Sequence, residues 1–187
     1  MRGMLDNEST ALVAQAAIIR THLANNDVTA ARTFMDDMLA ENPDEPGTQF
    51  LNAALLSVEG NIEDALVIYR KLLDDNPAQE VVWRAYVAGL SRLGRSDEAL
   101  SVLDEAITTL PEAQNLLWLK ASYEEQAGNI DSAIAIYQEL YEKESNSAIV
   151  ANNLASLITS YRDNDEDLQR ANIIVRRLKD TKVPALQ

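Results

Sequence analysis

Residues 80–113 read EVVWRAYVAGLSRLGRSDEALSVLDEAITTLPEA. The same punctuation recurs one period away on both sides. Gly60, Gly94 and Gly128 lie 34 residues apart, as do Pro43, Pro77 and Pro111, and Ala31, Ala65, Ala99 and Ala133 keep that interval. Three marker types sharing one period make a tandem repeat. A unit of this length is too short for a domain but long enough for two helices and two turns. Within 46–79, Ala65, Tyr69 and Leu72 fall at i, i+4 and i+7, and Leu66 and Leu73 widen the stripe. Gly60-Asn61 interrupts that pattern and Asn76-Pro77 ends it. Each unit therefore predicts a helix A, a tight turn, a helix B and a proline-marked turn.

The pattern resembles the tetratricopeptide repeat, which asks for a large residue at position 4, small at 8, Gly near 15, Ala at 20, large or aromatic at 24, small or apolar at 27 and Pro at 32. Residues 80–113 supply Trp83, Val87, Gly94, Ala99, Leu103, Ala106 and Pro111. Residues 46–79 supply Ala53, Gly60, Ala65, Tyr69, Leu72 and Pro77, with Gln49 departing at position 4 beside Phe50. Residues 114–147 supply Leu117, Ala121, Gly128, Ala133, Tyr137 and Leu140, and Ser145 replaces the proline. Two flanking units are weaker. Residues 12–45 give Ala31, Met35, Met38 and Pro43, with Asn26 in the glycine slot; Asn is the next-best residue for a left-handed turn. Residues 148–183 give Ala151, Leu154 and Ala155, then a lengthened turn from Arg162 to Asp167, and resume at Ala171, Val175 and Leu178.

The resemblance implies an all-α fold, an α-solenoid: a right-handed superhelix of five antiparallel hairpins forming one array over 12–183. Residues 1–11 would be an N-terminal extension and 184–187 the start of a further helix. Small residues at positions 8 and 20 let the two helices of a hairpin approach closely, and stacking covers each hairpin's remaining apolar flank.

The resemblance also places positions 2, 5, 9, 12 and 13 of the A helices on a concave face. Position 5 then holds Ala16, Phe50, Arg84, Trp118 and Asn152, and position 9 holds Arg20, Ala54, Ala88, Ser122 and Ser156. Arg92 shares a helix with Arg84 at i, i+8. The expected partner-binding residues are Arg20, Phe50, Arg84, Arg92, Trp118, Ser122 and Asn152. Arginines would hold carboxylates on a peptide or protein segment and aromatics would supply anchor area. The competing reading buries Phe50 and Trp118 between helices and pairs the arginines with local glutamates. Trp83, at position 4, is expected in the core. The carboxylate-clamp pattern of family members that bind chaperone tails is not matched, since its slots read Ala16, Arg20, Leu51, Val81 and Ala85.

Thirty acidic and 16 basic residues leave a net charge of -14, which repels nucleic acid and anionic lipid. There is no Cys, so disulfides and thiol chemistry are excluded. No apolar run is long enough to span a bilayer, and the start lacks a signal peptide's apolar stretch; cytoplasm and periplasm both stay open. The one histidine, His22, lacks the neighbours of a catalytic or metal site. Asp163-Asn164-Asp165-Glu166-Asp167 opens like a calcium loop but continues with Leu168 and Ile174 where Gly and Glu are required. No cofactor, metal or enzymatic activity is expected. The alternative function is a self-associating structural module, a homo-oligomer within a larger bacterial envelope or exopolysaccharide assembly. Positions 21 and 28 turn polar in the last unit, at Asn172 and Lys179, as a capping face would, whereas Val183-Pro184-Ala185-Leu186-Gln187 reads like the first turn of a further A helix.

Overall fold

The computed structural model describes residues 2–143 and 147–180, with side chains from 11 to 143 and from 147 to 177. Among the described residues the chain is all helix and turn. It divides into two compact units, Met1–Arg95 and Ser96–Gln187. The first holds α1 (Arg2–Ala24), α2 (Val28–Glu41), α3 (Pro46–Glu59), α4 (Ile62–Asp75) and α5 (Glu80–Arg92). The second holds α6 (Ser96–Thr109), α7 (Gln114–Gln126), α8 (Ile130–Lys143), α9 (Ala148–Tyr161) and α10 (Asp165–Asp180). Odd-numbered helices are the A helices and even-numbered ones the B helices of an all-α solenoid fold.

The marker residues act where the period places them. Gly60, Gly94 and Gly128 have φ of 92°, 73° and 81°, and Asn26 takes the same slot at 57°. A left-handed residue there turns the chain between helices A and B. Gly60 donates to the Leu56 and Ser57 carbonyls, and Asn61 N–H reaches the Leu56 carbonyl at 2.9 Å. The starts of α2 and α3 are capped by side chains. The Asp27 side chain accepts from Ala30 N–H at 2.9 Å, and the Glu45 carboxylate accepts from the amides of Gly47 and Thr48 ahead of Pro46.

Packing follows the small-residue rule. Ala31, Ala65, Ala99 and Ala133 at position 20 are wholly buried, and so are Ala53, Val87 and Ala121 at position 8. Between α4 and α5 the approach is close enough that a methyl group on Gly89 would lie 2.7 Å from Leu66 Cδ2. Position 4 shows why Gln49 can stand in for a large residue. Trp83 is buried, and its indole N–H donates to the Pro77 carbonyl at 2.8 Å. Gln49 Nε2 donates to the Pro43 carbonyl across the same six-residue spacing. Either side chain supplies a donor for a proline-turn carbonyl.

Helix α1 spans Arg2–Ala24 and is continuous from residues 2–11 into the first A helix. Two features differ from expectation. The lengthened turn is only three residues long, Arg162–Asn164, because the last three residues of the acidic run, Asp165, Glu166 and Asp167, lie inside α10. Asn164 accepts from Asp167 N–H at 2.9 Å and donates to its carboxylate at 2.8 Å, a reciprocal cap, while Asp165, Glu166 and Asp167 sit in the first turn where the helix dipole favours negative charge. Finally, α10 buries Ala171 and Ile174 rather than Ala171 and Val175. Ser145, the Leu178 and Lys179 side chains and residues 184–187 lie outside the described residues.

Candidate partner-binding surface

In the first unit, Phe50 on α3 is half-buried and its ring lies 5.9 Å from that of Tyr69 on α4, tilted by 50°. The Tyr69 hydroxyl is pushed up by burial, against the opposing effects of its hydrogen bond with Ser57 and of the Arg92 charge. Arg92 ends α5 and donates through Nη1 to the Ser57 carbonyl at 2.7 Å, adding a second hydrogen bond to that carbonyl beside the one from Gly60 N–H. The arginine is exposed yet partly committed, and to a backbone carbonyl rather than to the local glutamate that the competing reading assigned. Arg84, one helical stretch earlier on α5, is exposed, and among the described residues no ion pair or hydrogen bond engages it. Arg20 is exposed on α1.

The second unit repeats the aromatic arrangement with different polar neighbours. Trp118 on α7 meets Tyr137 on α8 edge-on, at 6.3 Å between ring centroids and 85° between planes. Trp118 keeps 38% of its surface exposed, while Tyr137 keeps 1%. Burial raises the Tyr137 hydroxyl above its ordinary range; the hydrogen bond with Asn153 opposes this and the Glu125 charge adds to it. The Asn153 amide donates to that hydroxyl at 3.3 Å. Ser122, half-buried, accepts from Gln126 Nε2 at 3.2 Å, and Asn152 is exposed on α9.

Both aromatics thus rest a ring on the position-24 tyrosine of their own hairpin. Such pairs hold a ring in place at about 0.5–1.5 kcal/mol beyond its area. The seven candidate residues fall into two groups: Arg20, Phe50, Arg84 and Arg92 in one unit, and Trp118, Ser122 and Asn152 in the other. The sequence reading missed the two position-24 tyrosines as supports. Their signal was present, because Tyr69 and Tyr137 are 68 residues apart, twice the period, as are Phe50 and Trp118. His22, half-buried in the last turn of α1, accepts from Asp27 N–H through its backbone carbonyl at 2.9 Å.

Hairpins on one period, packed through small residues and presenting side chains from successive A helices, define a scaffold for protein–protein interaction. Two tetratricopeptide repeat profiles match the sequence, over residues 22–90 and 89–148. The chain belongs to the tetratricopeptide repeat family. No curated protein sequence matches it. Among solved structures it is similar to MamA (residues 41 to the end) from Desulfovibrio magneticus RS-1, with a TM-score of 0.63 at 14% identity, covering 90% of this chain and 93% of that one. It is similar to pilF of Pseudomonas aeruginosa, with a TM-score of 0.64 at 20% identity over 93% and 76% of the two chains. YrrB, a TPR protein with an unusual peptide-binding site, gives 0.59 at 13% identity over 96% and 93%. At these identities the likeness is one of fold. Among the described residues no helix is long and apolar enough to cross a membrane.

Proposed function

We propose that this chain is an adaptor that holds peptide or protein segments on its A-helix faces, with Phe50 as anchor and Arg84 and Arg92 selecting acidic groups in the first unit, and Trp118 as anchor in the second. The observation that carries the reading is the recurrence of one device: a position-5 aromatic braced by a position-24 tyrosine, in both compact units. A braced ring loses little conformational entropy when a partner covers it, which is what makes an aromatic an effective anchor. Arginine 34 residues on from Phe50, at position 5 of the next unit, gives the first group a bidentate donor for carboxylates. Ser122 and Asn152 give the second group neutral hydrogen-bonding capacity instead.

The test is capture of partners from the source cell with wild type beside Arg84→Glu, Trp118→Ala and the double variant. Arg84 is exposed and without a described partner, so Arg84→Glu is expected to leave helicity and melting unchanged, whereas Trp118→Ala, which removes the contact with Tyr137, is expected to keep helicity and lower the melting temperature. Loss of an aromatic anchor typically costs about 2 kcal/mol or more, roughly 30-fold in affinity. Each single variant is expected to weaken capture and the double to abolish it. Normal capture by the double variant would remove this surface from consideration.

A further inference from the structure

The exact period makes departures as visible as matches. At positions 22, 25 and 26, α2 carries Thr33, Asp36 and Asp37, α6 carries Ser101, Asp104 and Glu105, and α8 carries Ala135, Gln138 and Glu139. Each has a small or polar residue followed by an acidic stretch. Helix α4 carries Val67, Arg70 and Lys71 instead, and α10 has a similar set, Ile173, Arg176 and Arg177. A further departure accompanies α4. Position 16 of the unit that follows it is Arg95, whereas the units following α2, α6 and α8 have Asn61, Asn129 and Asp163 there.

The fold gathers these four residues in the first compact unit. A groove of about 440 Å³ where α4 meets α5 is lined by Val67, Arg70, Lys71 and Arg95. Its apolar surface comes from Val67 with Leu66 and Tyr86; Leu66 is buried, Tyr86 half-buried and Val67 70% exposed. Glu63 and Asp74 complete the lining and position two of the cations. Arg70 donates through Nε to Asp74 at 2.9 Å, and its guanidinium carbon lies 6.0 Å from the centre of the Trp83 ring. Arg95 donates through Nη1 to Glu63 at 3.1 Å. Solvent-exposed ion pairs of this kind contribute little, so a ligand carboxylate can share their cations. Lys71 is exposed, and among the described residues no ion pair or hydrogen bond engages it. Three bases against two acids line this groove, in a chain with 16 bases and 30 acids.

We propose that this groove is a second docking site, which takes a short acidic segment of a partner protein. An apolar side chain of the segment rests on Val67 and Tyr86, and carboxylates on either side of it meet Lys71 and Arg95. The sign of the groove selects the segment, because the acids of α2, α6 and α8 repel it where Arg70 and Lys71 attract it. Val67 adds the apolar contact that exposed charges alone do not supply. A polyanion such as nucleic acid or an anionic bilayer would extend past these bases over an acidic surface, which a short segment does not. The groove shares no residue with Phe50, Arg84 and Arg92, so failure of either reading leaves the other standing.

The probe is a rhodamine-labelled peptide reading Gly-Ser-Gly-Glu-Leu-Glu-Gly-Ser-Gly, measured by fluorescence anisotropy beside its Gln-Leu-Gln analogue. The full chain is expected to bind the Glu peptide at least about five-fold tighter in low salt, with the preference lost in 1 M salt, where charges are screened beyond about 3 Å. Lys71→Glu is expected to remove the preference, and Val67→Ser to weaken both peptides about three-fold. These substitutions install what α6 carries at the same positions, Glu105 and Ser101, so the circular dichroism spectrum is expected to stay unchanged. Arg84→Glu is expected to keep the preference, and the Val67 methyl signals in NMR are expected to shift as the Glu peptide is added. Equal binding of the two peptides, a preference that survives Lys71→Glu, or Val67 methyl signals unmoved at saturation overturns the proposal. A preference lost in Arg84→Glu but kept in Lys71→Glu also overturns it, and assigns the peptide to the A-helix residues instead.

Discussion

Replacing Gly60 isolates the backbone's share in holding a hairpin closed. Gly60 sits at φ 92° and ψ -3° between α3 and α4. A Cβ built on it meets no heavy atom within 4 Å, so alanine would add no clash. The whole cost is then conformational. The left-handed region costs an L-residue about 1–2 kcal/mol, and the stiffer unfolded chain returns about 0.4–1 kcal/mol. Gly60→Ala is therefore expected to destabilise by about 1 kcal/mol, or roughly 2–4 °C in Tm for a chain of this size. Asparagine tolerates the left-handed region better, and the molecule already uses it at the equivalent slot, Asn26 at φ 57°. Gly60→Asn should accordingly be more stable than Gly60→Ala. At Gly89 the order should reverse. No positive φ exists there, but a Cβ would come within 2.7 Å of buried Leu66 Cδ2, so the larger Asn should be worse than Ala. Urea unfolding followed by circular dichroism, with the slope held constant across variants, measures all four. If Gly60→Ala matches wild type, or if Asn ranks below Ala at Gly60, the turn does not depend on the left-handed conformation and the reasoning fails.

Two further outcomes follow from the packing and the caps. Trp83→Phe keeps most of the ring but strands the Pro77 carbonyl, so a loss of about 1–2 kcal/mol is expected, whereas Trp83→Ala should lose about 3–5 kcal/mol; equal losses in urea unfolding would rule out a role for the indole N–H bond seen at 2.8 Å. Burial alone would raise the Glu45 carboxyl, but the amides of Gly47 and Thr48 outweigh it and hold it below the usual range. A depressed folded pKa contributes stability above the unfolded value and loses it as pH falls through the folded value. Glu45→Gln should therefore be less stable than wild type at pH 7, and the gap should close as pH drops below the ordinary carboxylate range of about 4; a gap that persists at acid pH would contradict the cap.

What a sequence can show here is set by distance along the chain. Turn glycines, seam prolines and position-20 alanines act on their immediate neighbours, so Gly60, Pro77 and Ala65 declare themselves by period alone. Even the departures were readable where one physical demand was at stake, as with Asn26, whose φ of 57° meets the same turn requirement as glycine. Gln49 was not readable, because size is the visible demand at position 4 and the hydrogen bond to a proline carbonyl six residues back is not. The acidic run at Asp163–Asp167 misled for a similar reason. Acidic residues signal both loops and first helical turns, and only the reciprocal Asn164–Asp167 hydrogen bonds separate the two. The proposed binding surface is harder still, since its chemistry depends on what each arginine already contacts. Arg84 and Arg92 share a helix, yet Arg92 reaches back 35 residues to the Ser57 carbonyl. Position numbers place a side chain on a face; its remaining capacity to bind is decided by contacts from the neighbouring hairpin. The residues left over for a partner are those that the repeat's own packing does not engage, and Arg84 is exposed with no ion pair or hydrogen bond among the described residues.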